Sequence, residues 1–344
     1  MCWRFRPRTV GGSKLAGMSA AHKGRALGIA VGLALVLACL AQAGPASAQS
    51  PLLAAPYEYL GWGDPQPPVG VMEASGVRDL TLAFILSRGA CNPEWDGNRP
   101  LFGGSDQHAI EAVRAAGGEV VVSFGGWSGK KLGTACKTAS ALAAAYQKVI
   151  DAYSLRAIDI DIEHGEFTNK ATRKRVVEAL ATTQRANPGL AISITMGTTE
   201  SGPEKNGRSL IADAASIGFQ PSVWTIMPFD FGPPATDMGR ASIRAAEGLE
   251  STLASAYGLA AAVAYERSGI SSMNGRTDEA SETVSLSDFQ TIRAFAAEHH
   301  LGRLTFWSVN RDRQCSAKPA PEEECSGIEQ QPLAFSGLVA GYHG

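Results

Sequence analysis

The sequence predicts a single (β/α)8 barrel of the TIM type, an α/β fold, and three observations predict it. Apolar runs of strand length alternate with alanine-rich segments at helical spacing. Eight such runs fall within residues 49–344, and no Gly-rich phosphate turn follows the first of them. Alternation of this kind implies parallel strands joined by right-handed crossovers. Eight strands suit a closed barrel. The competing open doubly wound sheet would carry a Gly-rich turn after its first strand.

The runs begin near Tyr57 (YEYLGWG), Leu80 (LTLAFIL), Glu119 (EVVVSFGG) and Leu155 (LRAIDIDIE). They continue near Leu190 (LAISITMG), Ser222 (SVWTIMPFDF), Leu259 (LAAAVAYE) and Leu304 (LTFWSVN). Most are rich in β-branched or aromatic residues and nearly continuous in hydrophobicity, as strands buried on both faces are. Pro228 has no N–H for the ladder, so the sixth run should stop beside it. Between the runs, Ser140 to Tyr153 reads as a helix that Ser140 would cap. Ala171 to Arg185 reads as a second, ended by Asn187-Pro188. A third spans Ser287 to His299, with Ser287 at its start and Gly302 just past its end.

Residues 1–48 read as a secretory signal rather than as part of the fold. Lys23 and Arg25 precede an uncharged stretch from Ala26 to Ala43, and Ala46-Ser47-Ala48 offers small residues for cleavage before Gln49. The unbroken apolar run falls short of the roughly 20 residues of a membrane-spanning helix. Leu37-Ala38-Cys39 supplies an alternative lipoprotein processing site. Residues 49–344 then form one catalytic domain, exported to the periplasm or beyond.

Cleavage there leaves Cys91, Cys136, Cys315 and Cys325, which permit three pairings. The short Pro- and Glu-rich stretch between Cys315 and Cys325 favours a surface loop closed by that pair, which leaves Cys91 for Cys136. Four buried thiols are the alternative, and disulfides suit an oxidising compartment.

A formal net charge of −2, with no Lys/Arg run longer than Arg173-Lys174-Arg175, argues against a nucleic-acid footprint and a polybasic membrane patch. A neutral polymer suits this balance better. No Cys/His cluster has zinc spacing and no G-x-S-x-G elbow occurs. Neither metal nor cofactor is expected, and the chain reads as a monomer.

The fourth run carries the chemistry. Side chains alternate along a strand, so in Ile158-Asp159-Ile160-Asp161-Ile162-Glu163 the three acids share one face, about 6.6 Å apart, and the isoleucines share the other. Isoleucines packed on the helices would turn the acids into the barrel. Each ionised carboxylate taken from water costs several kcal/mol unless it is paired, hydrogen-bonded or protonated. The competing readings are an exposed edge strand with an acidic face, and a calcium site, for which a strand lacks the looped oxygen ligands. In a barrel the last acid, Glu163, stands at the C-terminal mouth with Asp161 beneath and Asp159 deeper. Crowding and desolvation favour a neutral carboxyl, which a general acid needs.

These residues resemble the fourth-strand pattern D-x-x-D-x-D-x-E of family-18 chitinases at Asp159, Asp161 and Glu163. Ser123-Phe124-Gly125-Gly126 is similar to that family's S-x-G-G, and Met227-Pro228-Phe229-Asp230 to its M-x-Y-D. Trp307 stands where the family has a tryptophan floor, and LGWGDPQ and WSVNRDR resemble a compact bacterial subgroup. The resemblance covers Tyr57 to Asp312. It implies cleavage of β-1,4-linked N-acetylglucosamine in chitin or its oligosaccharides by a retaining, substrate-assisted mechanism. By that likeness Glu163 is general acid and base, Asp161 orients the acetamido group, and Asp159 shares a proton with Asp161. Met227, Phe229 and Asp230 line the sugar subsite, with Trp307 stacked beneath the ring.

Two departures stand out. Arg156-Ala157 replaces the motif's leading Asp-Gly. Phe229 replaces the tyrosine whose hydroxyl binds the acetamido carbonyl, a loss commonly worth about 2.7–4 kcal/mol in the transition state. Tyr265 on the seventh run or Tyr59 on the first could supply that contact. Trp62, Trp95, Trp127 and Trp224 are cleft or core residues, with Trp62 and Trp127 close to the mouth and Trp224 mid-strand. Gln66 and Asn310 are polar contacts or loop structure, His164 points away from Glu163, and His299-His300 end a helix. The competing functions are a glycan-binding lectin on the same barrel, which usually lacks the terminal Glu, and an endo-β-N-acetylglucosaminidase.

Overall fold

The computed structural model describes residues 50–232, 237–316 and 323–344; the expected signal segment lies outside them. Eight parallel strands form the wall: β1 (Tyr57–Tyr59), β2 (Asp79–Arg88), β3 (Glu119–Gly125), β4 (Ala157–Asp161), β5 (Ala191–Gly197), β6 (Val223–Met227), β7 (Ser268–Met273) and β8 (Arg303–Trp307). Each pairs in parallel with the next from β1 to β8. The seam between β8 and β1 is closed by loops and a side chain. Leu304 N–H donates to Leu53 O at 2.8 Å. The Asn310 amide accepts from Tyr59 N–H and donates to Tyr59 O, both at 2.9 Å. The expected (β/α)8 barrel is therefore present.

One strand differs from expectation. The run at Leu259 forms the helix Ala261–Glu266, and the seventh strand is Ser268–Met273, SGISSM. The reason is physical. Hydrophobicity finds a strand only when both faces are apolar, and this barrel's interior is not. Thr81, Ser123, Asp159, Ser193, Thr195, Thr225, Arg303 and Thr305 are all buried, from six strands. β7 contributes further small polar residues, so only Ile270 and Met273 give it an apolar signature.

The outer faces follow the usual logic. Ile158, Ile160 and Ile162 are at most 1% exposed and pack into the shared core with the surrounding helices. Burial of that kind stabilises by about 1.5–3 kcal/mol per side chain. Among those helices, Ala139–Tyr153 is capped by Thr138 rather than Ser140, and Lys170–Ala186 is capped by Asn169 and ends at Asn187. Leu286–Glu298 opens one residue earlier than expected, on a capping box of Ser285 and Asp288.

Two additions decorate the wall. The segment Asn92–Trp95 folds back antiparallel on β2. A small hairpin of Gly275–Arg276 and Thr283–Val284 follows β7. Disulfides join Cys91 to Cys136 and Cys315 to Cys325, the favoured pairing. Among the described residues no helix is long and apolar enough to cross a membrane.

Candidate active site

Asp159 and Asp161 on β4 and Glu163 just past its end differ in surroundings. Asp159 is fully buried. It pairs with Arg303 from β8 at 2.6 Å and accepts from Ser123 Oγ at 2.6 Å, Thr195 Oγ1 at 2.6 Å and Tyr57 Oη at 2.7 Å. Arg303 also donates to Ser193 Oγ at 2.8 Å and Thr81 Oγ1 at 3.1 Å. Asp159 is thus the centre of a buried polar cluster linking five other strands, and its hydrogen bonds run to these groups rather than to Asp161.

Asp161 lies one step nearer the mouth and is 5% exposed. Burial, then the charges of Glu163 and Asp159, push its carboxyl well above the usual range. Its Oδ1 has no hydrogen-bond partner, so the site offers one acceptor of the highest cost to leave empty. Glu163 follows the strand in extended backbone, as the cap position of the short helix His164–Thr168. Burial raises its carboxyl to about 7; Lys131 opposes that rise, while Asp278 and Asp230 add to it.

The third strand makes room for this arrangement. Gly125 has φ 107°, and a Cβ there would lie 2.1 Å from Asp161 O; at Gly126, φ 77°, it would strike the Phe84 ring at 2.6 Å. Gly126 N–H also donates to Asp161 O at 2.9 Å. Ser123 therefore serves Asp159 directly, while Gly125 and Gly126 serve the backbone of Asp161.

The floor is aromatic. Trp307 stacks on Phe84 with centroids 5.5 Å apart and 11° between planes, and lies 6.0 Å from Tyr57 and 6.2 Å from Tyr59. The peptide bonds Ala83–Phe84 and Trp307–Ser308 are both cis. The indole N–H of Trp307 donates to Glu323 Oε2 at 2.5 Å, and Glu323 is itself paired with Arg311 at 3.2 Å. Trp62 is 48% exposed and meets Tyr59 edge-on at 6.3 Å; Trp127 is 70% exposed and lies 4.0 Å from the ring of exposed His164. Trp95 and Trp224 are core residues, both fully buried.

On the other side, β6 ends at Met227. Met227 and Phe229 are half-buried and Asp230 is exposed, with φ 53°. Tyr265 does not reach this region: it sits on the Ala261–Glu266 helix against Phe295 and His299. Its placement followed from the misassigned seventh strand. Tyr59 stays in the cleft as the remaining tyrosine candidate. Asn310 and Gln66 prove to be loop structure, binding the backbone of Tyr59 and of Val309.

Several contributors were invisible to motif reasoning. Lys131 is buried, and its Nζ reaches Gly125 O at 3.4 Å. Glu166 accepts from Gly133 N–H at 2.5 Å and is raised to about 7 by burial. Arg303, Glu323 and the hairpin pair Asp278 and Glu282 arrive from three separate segments. None stands in a distinctive local pattern, though Glu166 three residues after Glu163 was a signal available in the sequence.

No family model matches the chain. It is 27% identical over 283 residues to the "Probable bifunctional chitinase/lysozyme" of Escherichia coli (strain K12), across 77% of this chain and 32% of that protein. It is 26% identical over 250 residues to "Endochitinase 11" of Metarhizium anisopliae, across 69% of this chain and 48% of that one. The chain thus spans about a third to a half of the length of these curated relatives. The structure of active domain 2 of the thermostable chitinase from Pyrococcus furiosus superposes with a TM-score of 0.76 at 27% identity, covering 84% of this chain and 93% of that one. Taken with the strand motifs, these likenesses make the chain similar in sequence and fold to chitinase catalytic domains.

Proposed function

We propose that this chain is an exported glycoside hydrolase that cleaves β-1,4-N-acetylglucosamine linkages in chitin or chitooligosaccharides with retention, Glu163 acting as acid and base. One observation carries the reading. Glu163, half-buried with its carboxyl raised to about 7, follows β4 two residues after the buried Asp161, whose Oδ1 has no partner, and the end of β8 carries Trp307 stacked on Phe84. A general acid works best when its pKa lies near the working pH.

In this mechanism the sugar lies on Trp307 and Asp161 Oδ1 accepts the acetamido N–H, which turns the acetamido carbonyl oxygen toward the anomeric carbon. That oxygen attacks as Glu163 gives its proton to the departing glycosidic oxygen. The resulting oxazolinium ion carries positive charge beside Asp161, which stabilises it. Glu163, now ionised, takes a proton from water as the water opens the ring from the same face. The chitinase names of the relatives and the Pyrococcus furiosus domain support the substrate class. The two disulfides support an oxidising compartment, and so export.

The test is release of fluorophore from a 4-methylumbelliferyl chitobioside. Wild-type protein should turn it over and Glu163→Gln should lower kcat by at least about 10²-fold, in the range of losses for a missing acid–base group. Retention of chitin binding by a wild-type protein that releases no fluorophore would overturn the enzyme reading in favour of a lectin.

A further inference from the structure

The loop leaving β6 is built around a carboxylate that the chemistry above does not use. After Met227 the chain passes through Pro228, which has no N–H, and Asp230 then adopts the left-handed region at φ 53°. A left-handed residue turns successive backbone N–H groups toward one point and makes a cradle for an anion. Here the anion comes from the protein itself. Glu282 is fully buried; its Oε2 accepts from Asp230 N–H at 2.8 Å and its Oε1 from Phe231 N–H at 2.9 Å.

Glu282 belongs to the hairpin Gly275–Val284 that follows β7, which also holds the Asp230 side chain. Glu279 N–H donates to Asp230 Oδ1 at 3.0 Å. The hairpin is tied internally by Glu282 N–H to Glu279 O at 2.8 Å and by Thr277 Oγ1 to Glu282 Oε2 at 3.4 Å. Backbone and side chain of Asp230 are therefore both set by one hairpin, 50 residues further along the sequence.

We infer that Glu282 is a positioning residue that fixes Asp230, and with it the wall formed by Met227 and Phe229, for the N-acetylated sugar. The inference rests on the hydrolase reading for its substrate. Without Glu282 two adjacent N–H groups lose their acceptors, and the left-handed turn at Asp230 loses what holds it. Glu282 makes no contact with the acids of β4 among the described residues, so its influence passes through Asp230.

A double-mutant cycle tests this. Glu282→Gln keeps the size of the side chain but replaces one acceptor with an amide that faces a backbone N–H. On the fluorogenic chitobioside it should lower kcat/KM by about 10- to 100-fold, the scale of loss for a mispositioned group. In an Asp230→Ala background the same change should cost less than about twofold, because two residues acting through one contact are not additive. A merely structural role would give losses that multiply. Multiplying losses, or Glu282→Gln within twofold of wild type, would overturn the inference.

The same cycle is read in parallel as Kd for chitotetraose in a Glu163→Gln background, by calorimetry. Failure of the hydrolase reading appears as absent turnover in wild type, while the binding cycle still reports on Glu282.

Discussion

At the scale of single residues, the two acids of β4 and the Glu163 that follows it divide their duties by environment rather than by type. Asp159 is committed to Arg303 and three hydroxyls, Asp161 keeps a free acceptor, and Glu163 has a carboxyl raised to about 7. The row was legible because period-two alternation displays aligned acids in one short segment. Their unequal surroundings were not, because Arg303 lies 144 residues beyond Asp159. The Glu163 value has a consequence for pH dependence. On the proposed mechanism Glu163 must be protonated before substrate binds, so kcat/KM should hold below pH 7 and fall tenfold per unit above it. A profile flat from pH 6 to 9 would contradict Glu163 as the proton donor. Changing Asp278, whose charge helps raise that carboxyl, to Asn should move the alkaline limb to lower pH.

At the scale of elements, the loops beyond the strands do as much to build the site as the strands do. The strand motifs at Ser123, Asp161 and Trp307 could be read in advance because a strand carries its pattern locally. The hairpin bearing Glu282 could not: GRTDEASETV reads as an ordinary solvated turn. β7 escaped for a related reason, since SGISSM faces a polar interior and packs few apolar groups. The segment closed by Cys315 and Cys325 belongs to the same class of hidden contributor. Its Glu323 fixes the indole of Trp307 and also meets Arg311. Glu323→Gln keeps an acceptor for the indole but removes the charge, and Glu323→Ala removes both. The alanine variant should raise KM for chitooligosaccharides about tenfold or more with kcat nearly unchanged, near the net worth of one hydrogen bond with a charged partner. Equal KM for the two variants and wild type would show that the floor holds its orientation without Glu323.

At the scale of the whole molecule, one buried group stands apart from the acids of the candidate site. Glu58 lies on β1, fully buried, and neither of its carboxyl oxygens has a partner. Burial raises it from 4.5 to about 8. The folded protein therefore holds a proton that the unfolded chain has given up between those values. Its contribution to stability is complete below about pH 4.5 and declines as pH rises toward 8, by about 1.4 kcal/mol per unit where only the folded form is protonated. Glu58→Gln cannot titrate, so its urea midpoint should fall less steeply than that of wild type between pH 5 and 8. Parallel slopes would place the titration elsewhere, on Glu166 or Asp161, which are raised in the same direction.

The join between β1 and β8 has a further implication for how the molecule comes to exist. Leu304 and Asn310 meet partners that precede them by some 250 residues, and contacts so remote in sequence form late because the intervening loop must close first. A nascent chain can therefore hold every β4 acid and still lack a finished mouth. Tyr59 and Trp62 gain the Asn310 amide that fixes their backbone only when β8 and the turn after it have been made, so this rim of the barrel is finished after its walls.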